Sequence, residues 1–212
     1  MAFMAPSPPA AHSPDIMPRA MCRKSPAPYN RLSQLSRDPF MRSLIHELVR
    51  HRADMNPTAE ALGYRESGIT YEQLAGDVVT FASALREADI AADERVAVYL
   101  EKRPEAVAGL FGAAAAGGAF VPVNPLLKPA QVGHILRDCN VRALVTSSSR
   151  LEGLTETLRH CPDLHTAITV DGEAGAEGHW QIIPWHKLPR VDADLPRRTD
   201  SDLAAILYTS GS

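Results

Sequence analysis

The stretch Arg95–Val123, RVAVYLEKRPEAVAGLFGAAAAGGAFVPV, decides the fold class. From Arg95 to Leu100 the apolar residues Val96, Val98 and Leu100 alternate with their neighbours, the period of a strand. Pro104 then suits the first turn of a helix, where its missing N–H costs nothing. The helix should run to about Ala116, with Val107, Leu110, Phe111 and Ala114 facing inward. Gly117 and Gly118 end it, since glycine accepts the left-handed backbone that closes a helix. Ala119–Val123 is the next strand.

Two other readings of this stretch fail on its composition. Ala106 to Val123 is uncharged and close to the minimum length of a membrane span. It is mostly Ala and Gly, however, and is interrupted by Gly117, Gly118 and Pro122, so no transmembrane segment is expected. The glycines from Gly109 to Gly118 run G-x-x-G and then G-G at the end of a helix. A dinucleotide fingerprint needs G-x-G-x-x-G between strand and helix.

The same alternation extends in both directions. Upstream, Leu44, Ile45, Leu48 and Val49 form an apolar stripe with Ser43 as N-cap. An extended piece ends at Ile69, and Thr70 with Gln73 forms a capping box before a helix presenting Leu74, Val78, Phe81 and Leu85. Downstream, Pro129 opens a helix burying Val132, Ile135, Leu136 and Cys139. A strand at Ala143–Thr146 follows, then a helix marked by Leu151, Leu154 and Leu158, then a strand at Ala167–Val170. A glycine-rich turn leads to a short apolar piece at Ile182 and Ile183, and the last element is a buried strand, Leu203–Tyr208. Alternating strands and helices predict an α/β fold with a mostly parallel sheet flanked by helices.

Residues 1–40 break the pattern. Eight prolines among Ser, Ala and Arg leave no apolar periodicity, so this segment is expected to be a disordered Pro/Ser-rich tail. It lacks the apolar core of a secretory signal, and its arginines faintly resemble a transit peptide. Residues 41–212 form the ordered domain.

The net charge of −3 and the absence of any Lys/Arg run speak against a nucleic-acid partner. Cys22, Cys139 and Cys161 are odd in number and far apart, which suggests free thiols in the cytoplasm. His46 and His51 are five apart, so on one helix their rings diverge by roughly 140° and cannot share a metal. No catalytic or metal-ligating residue is assigned.

The end of the chain carries the candidate binding residues. A strand delivering Thr209, Ser210, Gly211 and Ser212 at its C-terminal tip suits a phosphate. Gly211 allows N–H groups to converge on an anion, and the three hydroxyls can donate as well. A plain polar turn after a strand would look the same.

Asp202–Ser212, DLAAILYTSGS, resembles the start of the phosphate loop of the AMP-forming adenylating enzymes, approximately Y-[ST]-S-G-[ST]-T-G-x-P-K-G. Ile69–Leu74, ITYEQL, is similar to the family's T-Y-x-E-L block, with Gln73 where Glu is usual. Asp93–Val98 resembles the strand that follows, and Gly112–Lys128 the block A-G-x-x-x-V-P-[LIV]-[ND]-P. The resemblance runs from about Leu44 to Ser212 and is that of a partial AMP-binding domain truncated inside its loop. Asn124, where amino-acid-activating domains usually carry Asp, leans toward acyl-CoA ligases; the run from Asn124 to Thr146 also resembles ligases linked to bacterial exosortase systems.

The resemblance implies a two-step reaction. A small carboxylic acid attacks Mg2+-bound ATP to give acyl-AMP and pyrophosphate, and the thiol of coenzyme A then displaces AMP. Thr209, Ser210, Gly211 and Ser212 would hold the β- and γ-phosphates, while the blocks at Ile69 and Gly112 are scaffold. The second half of the loop, the magnesium carboxylate and the C-terminal domain with its lysine belong to a missing remainder, so the isolated chain is expected to be inactive. Two alternatives stand beside this reading. One is an adenylation domain that loads a carrier protein; the other is a non-catalytic module or one half of a split enzyme.

Overall fold

The computed structural model describes residues 44–65, 67–175, 177–189 and 195–209. The Pro-rich segment 1–40 and the expected cap Ser43 lie outside the described residues.

Helix α1, Ile45–Met55, leads into an antiparallel hairpin of β1, Glu60–Tyr64, and β2, Ser67–Thr70. Helix α2, Tyr71–Glu87, starts on the expected capping box. The Thr70 hydroxyl accepts the Gln73 N–H at 3.3 Å, and the Gln73 side chain accepts the Thr70 N–H at 2.8 Å. Leu74, Val78, Phe81 and Leu85 are all buried, as their spacing predicts.

The chain then alternates through β3 (Arg95–Tyr99), α3 (Pro104–Ala115), β4 (Ala119–Pro122), α4 (Pro129–Asp138) and β5 (Val141–Thr146). Next come α5 (Ser148–Leu158), β6 (Thr166–Thr169) and β7 (Gln181–Pro184). The sheet order is β4-β3-β5-β6-β7, and every pair is parallel. The chain goes out from β3 to β4 on one side and returns to β5 on the other. The C-terminal ends of β3 and β5 therefore flank a topological switch point.

Alternate strand residues face opposite layers. Ala97, Tyr99, Val121 and Leu144 join α4 and α5 in one apolar cluster with Val132, Leu136, Leu151 and Leu158. On the opposite face, Val98 and Val145 lie beneath Gly109 of α3. Helices α1, α2 and α3 pack together on that side. The result is a three-layer α/β/α sandwich.

Three expectations need correction. In α1 the buried residues are Val49 and Ala53, whereas Ile45 and Leu48 are exposed. Positions four apart form one narrow line of contact, and the rest of the stripe turns away from it.

In α3 the buried face is Ala108, Gly109, Gly112 and Ala113 through Ala115, not Val107, Leu110 and Phe111, which are half-buried. This helix is clamped between the sheet and α2, and only small residues allow both approaches. The glycine stop behaves as expected: Gly117 has φ +87°, and the N–H groups of Gly117 and Gly118 close onto Ala114 and Ala113.

The last expected strand is an extended segment with a single bridge, Ala205 to Phe120 of β4. Leu203, Leu207 and Tyr208 are exposed rather than buried. The segment meets the sheet along one edge of β4 and has no strand on its other side among the described residues, so alternate side chains stay in solvent.

Candidate functional site

The switch point is where an open parallel sheet usually binds ligands. Here the chain's own charges occupy it. The Thr146 hydroxyl donates to the Tyr99 carbonyl at 3.0 Å, tying β5 to β3. Arg150 of α5 pairs with Glu101 beyond β3, donates to the Pro125 carbonyl at 2.9 Å, and lies over the Tyr99 ring at 4.6 Å. The hydrogen bond from Arg150 holds the Glu101 carboxyl below its usual range.

The N-terminus of α5 is also satisfied from within. Asp171 accepts from both the N–H and the hydroxyl of Ser148 at 2.7 Å. Burial raises the Asp171 pKa, but the bonds from Ser148 outweigh it and hold the carboxylate below its usual range. A carboxylate at a helix N-terminus answers the dipole as a phosphate would. Arg103, at the start of α3, is paired with Glu105 at 2.8 Å.

The terminal segment that carries the phosphate-loop sequence is held by three anchors. The Phe120 N–H donates to the Ala204 carbonyl at 2.9 Å, and the Ile206 N–H donates to the Phe120 carbonyl at 3.0 Å. Ile206 packs against the apolar cluster under α4 and α5. The Tyr208 hydroxyl donates to Asp138 and lies 3.2 Å from the Cys139 sulfur. Burial, then these two contacts, hold the Tyr208 phenol above its ordinary range.

Asp138 and Cys139 end α4, from which the chain enters β5 at Val141, opposite Arg95 at the start of β3. The Tyr208 hydroxyl is therefore anchored near the N-terminal edge of the sheet. Thr209 follows and is exposed. Ser210, Gly211 and Ser212 lie outside the described residues. Sequence reasoning missed the tie between Tyr208 and α4, because residues 70 positions apart in the chain carry no local signal.

His46 is partly buried in α1 and His51 is exposed. Among the described residues no group of three or more His, Cys, Asp or Glu converges on one point. Cys139 and Cys161 are buried free thiols, and burial pushes the Cys161 thiol up. No helix of the described residues is long and apolar enough to cross a membrane.

A parallel sheet with helices on both faces and a 2-1-3-4-5 strand order defines a doubly wound α/β protein. The AMP-binding enzyme family matches residues 49–212, from within α1 to the terminal Tyr-Thr-Ser-Gly-Ser, and the chain belongs to that family of adenylate-forming enzymes.

Among curated relatives, tyrocidine synthase 3 of Brevibacillus parabrevis is 31% identical over 171 residues, covering 79% of this chain and 2% of that protein. Gramicidin S synthase 2 of Brevibacillus brevis is 27% identical over 174 residues, covering 82% and 4%. Among solved structures, the anthranilate CoA ligase AuaEII with anthranoyl-AMP superposes with a TM-score of 0.68 at 24% identity, over 78% of this chain and 32% of that one. The N-terminal subdomain of NpsA from Klebsiella oxytoca superposes with a TM-score of 0.60 at 21% identity, over 80% and 39%. The chain thus spans a few per cent of the curated relatives and about a third of the solved enzymes.

Proposed function

We propose that the chain is the N-terminal lobe of an AMP-forming carboxylate–thiol ligase, carrying the first half of its phosphate loop. The observation that carries this reading is the family match reaching Tyr208–Ser212, on a segment hydrogen-bonded to the edge of the sheet.

In the complete enzyme a carboxylate oxygen attacks the α-phosphorus of ATP. The bond from that phosphorus to the bridging oxygen breaks, and pyrophosphate leaves. A thiol sulfur then attacks the acyl carbon, giving up its proton, and AMP leaves. The contribution of this chain is to hold phosphate. The hydroxyls of Thr209, Ser210 and Ser212 and the backbone at Gly211 donate to the β- and γ-phosphate oxygens. Holding those groups in line with the acid is worth more than any acid–base group here, because such transfers depend on positioning and charge stabilisation. Magnesium would supply charge neutralisation for the phosphates, and no residue of this chain is assigned to hold it.

The acceptor is coenzyme A on this reading. Asn124 favours it, as does the fold shared with a CoA ligase. The second reading, transfer to a carrier protein, is favoured by the peptide synthetases among the curated relatives. The free thiols Cys139 and Cys161 fit a cytoplasmic setting.

The experiment is exchange of radiolabelled pyrophosphate into ATP across a panel of carboxylic acids. The 212-residue chain alone is expected to stay at blank. In a chain continued beyond Ser212 by the rest of the enzyme, Ser210→Ala with Ser212→Ala should lower exchange tenfold or more, a hydrogen bond to a charged group being worth about 1.5–3 kcal/mol. Unchanged exchange in that double variant overturns the phosphate role. Acyl-CoA or acyl-carrier product, read by mass spectrometry, separates the two acceptors.

A further inference from the structure

Asp138 is the last residue of α4, where the partial negative charge of a helix end disfavours a carboxylate. Its neighbour Arg137 has the sign that this position favours. The stability of α4 therefore gives no reason for Asp138. The donor that answers it lies 70 positions away in the chain, the Tyr208 hydroxyl.

Two features aim Tyr208 at that point. The backbone bonds to Phe120 fix the segment at Ala204 and Ile206. Side chains alternate along an extended chain, so Tyr208 leaves on the same side as Ile206, which packs against the cluster under α4 and α5. Leu207, on the other side, is exposed. The Cys139 sulfur lies 3.2 Å from the same hydroxyl, so the helix end meets the phenol with two side chains. The bonds to Phe120 stop at Ile206, and Tyr208 is the anchor beyond them. Thr209, the first hydroxyl of the loop sequence, is the next residue.

We propose that Asp138 is a positioning residue for ATP. Through the Tyr208 hydroxyl it fixes the direction in which Thr209 leaves the sheet edge, and so where the phosphate donors are presented. Asp138 itself touches no substrate, and its role rests on the ligase reading above.

The first measurement needs no ATP. In the 212-residue chain, the rate at which N-ethylmaleimide modifies Cys139 reports how often the segment opens, read by peptide mass spectrometry. Asp138→Ala should raise that rate about fivefold, the worth of an exposed hydrogen bond near 1 kcal/mol, and leave Cys161 unchanged. Asp138→Asn keeps an acceptor oxygen and should restore part of the protection. In a Tyr208→Phe background, Asp138→Ala should add nothing, because the two act as one unit.

The second measurement is pyrophosphate exchange in the chain continued beyond Ser212 by the rest of the enzyme. Asp138→Ala should raise the KM for ATP about fivefold and leave the KM for the carboxylic acid unchanged. The melting temperature should not fall, since the variant removes a carboxylate from a helix C-terminus and adds a better helix former.

The outcomes separate this role from the reading beneath it. Normal exchange in the wild type with an unchanged KM for ATP in Asp138→Ala overturns the positioning role and leaves the ligase reading standing. A rise in both KM values with a lower melting temperature and faster Cys161 modification would make Asp138 a purely structural residue. An equal effect of Asp138→Ala with and without the Tyr208 hydroxyl would show that it does not act through Tyr208. No exchange in the wild type overturns the ligase reading and the role of Asp138 with it, whatever the protection of Cys139.

Discussion

Phe81 of α2 lies so close over Gly112 of α3 that a Cβ on the glycine would come 2.7 Å from the Phe81 ring and 3.0 Å from the Val78 carbonyl. The ring could rotate slightly, but the carbonyl belongs to a helix and cannot. Gly112→Ala should therefore destabilise the fold by about 1–3 kcal/mol, despite the better helix propensity of alanine. Thermal unfolding should show a fall of about 2–4 °C for each kcal/mol. An unchanged melting temperature would show that α2 and α3 can separate freely.

Thr70 closes the N-terminus of α2 and turns the chain out of the hairpin. Thr70→Ala removes the acceptor for Gln73 N–H and should cost about 1 kcal/mol, read as a lower urea midpoint. Thr70→Ser keeps the hydroxyl and should restore most of the loss.

Arg95 binds three backbone carbonyls, those of Cys139, Asn140 and Asp93. It thereby fixes the end of α4 against the start of β3, where Asn140 adopts a positive φ of 50°. Arg95→Ala leaves those carbonyls without their donor and should cost about 1.5–3 kcal/mol by denaturant unfolding. Arg95→Lys should recover only part of it, since one ammonium cannot reproduce the planar fork.

His46 gives a pH dependence with a definite sign. Burial pushes its pKa below 6.5, opposed by Glu47 and assisted by Arg50. The folded state thus prefers the neutral ring. Its contribution to stability is present above about pH 6.5 and is lost as pH falls through the lowered folded value. Carboxylates titrate in the acid range as well, so the measurement is the difference between wild type and His46→Gln. The urea midpoint of the wild type should fall more between about pH 7.5 and pH 5 than that of the variant. Parallel pH profiles would rule out a buried neutral His46.

Tyr208→Phe removes the hydroxyl that reaches Asp138 and Cys139 but keeps the ring. The segment 203–209 should then open more often, with faster limited proteolysis there and little change in melting temperature. Equal cleavage rates would show that the hydrogen bonds of Phe120 alone hold the segment.

Local signals in the sequence carried a large part of this. The alternation of strand and helix from Arg95 onward, the T-x-x-Q cap at Thr70, the prolines opening α3 and α4, and the glycine stop at Gly117 are each set by residues within a few positions of one another. The family-like blocks were legible for the same reason, since a loop sequence such as Tyr208–Ser212 is contiguous. The hairpin partner β1 and the edge strand β7 were less so. Leu62 in β1 and Ile182 and Ile183 in β7 are too few apolar residues to stand out, and these strands are recognised by their pairing.

By itself the sequence determined most of the helices and strands from Tyr71 to Thr169, and that the main sheet is parallel, because backbone geometry and capping are short-range physics. Only the tertiary structure decided the strand order, the burial of the alanine–glycine face of α3 instead of its larger residues, and the anchoring of Tyr208 to the end of α4. Those choices depend on how closely two elements distant in the chain can approach. Such distances are set by what lies opposite each side chain, as Phe81 lies opposite Gly112, and no periodicity encodes that.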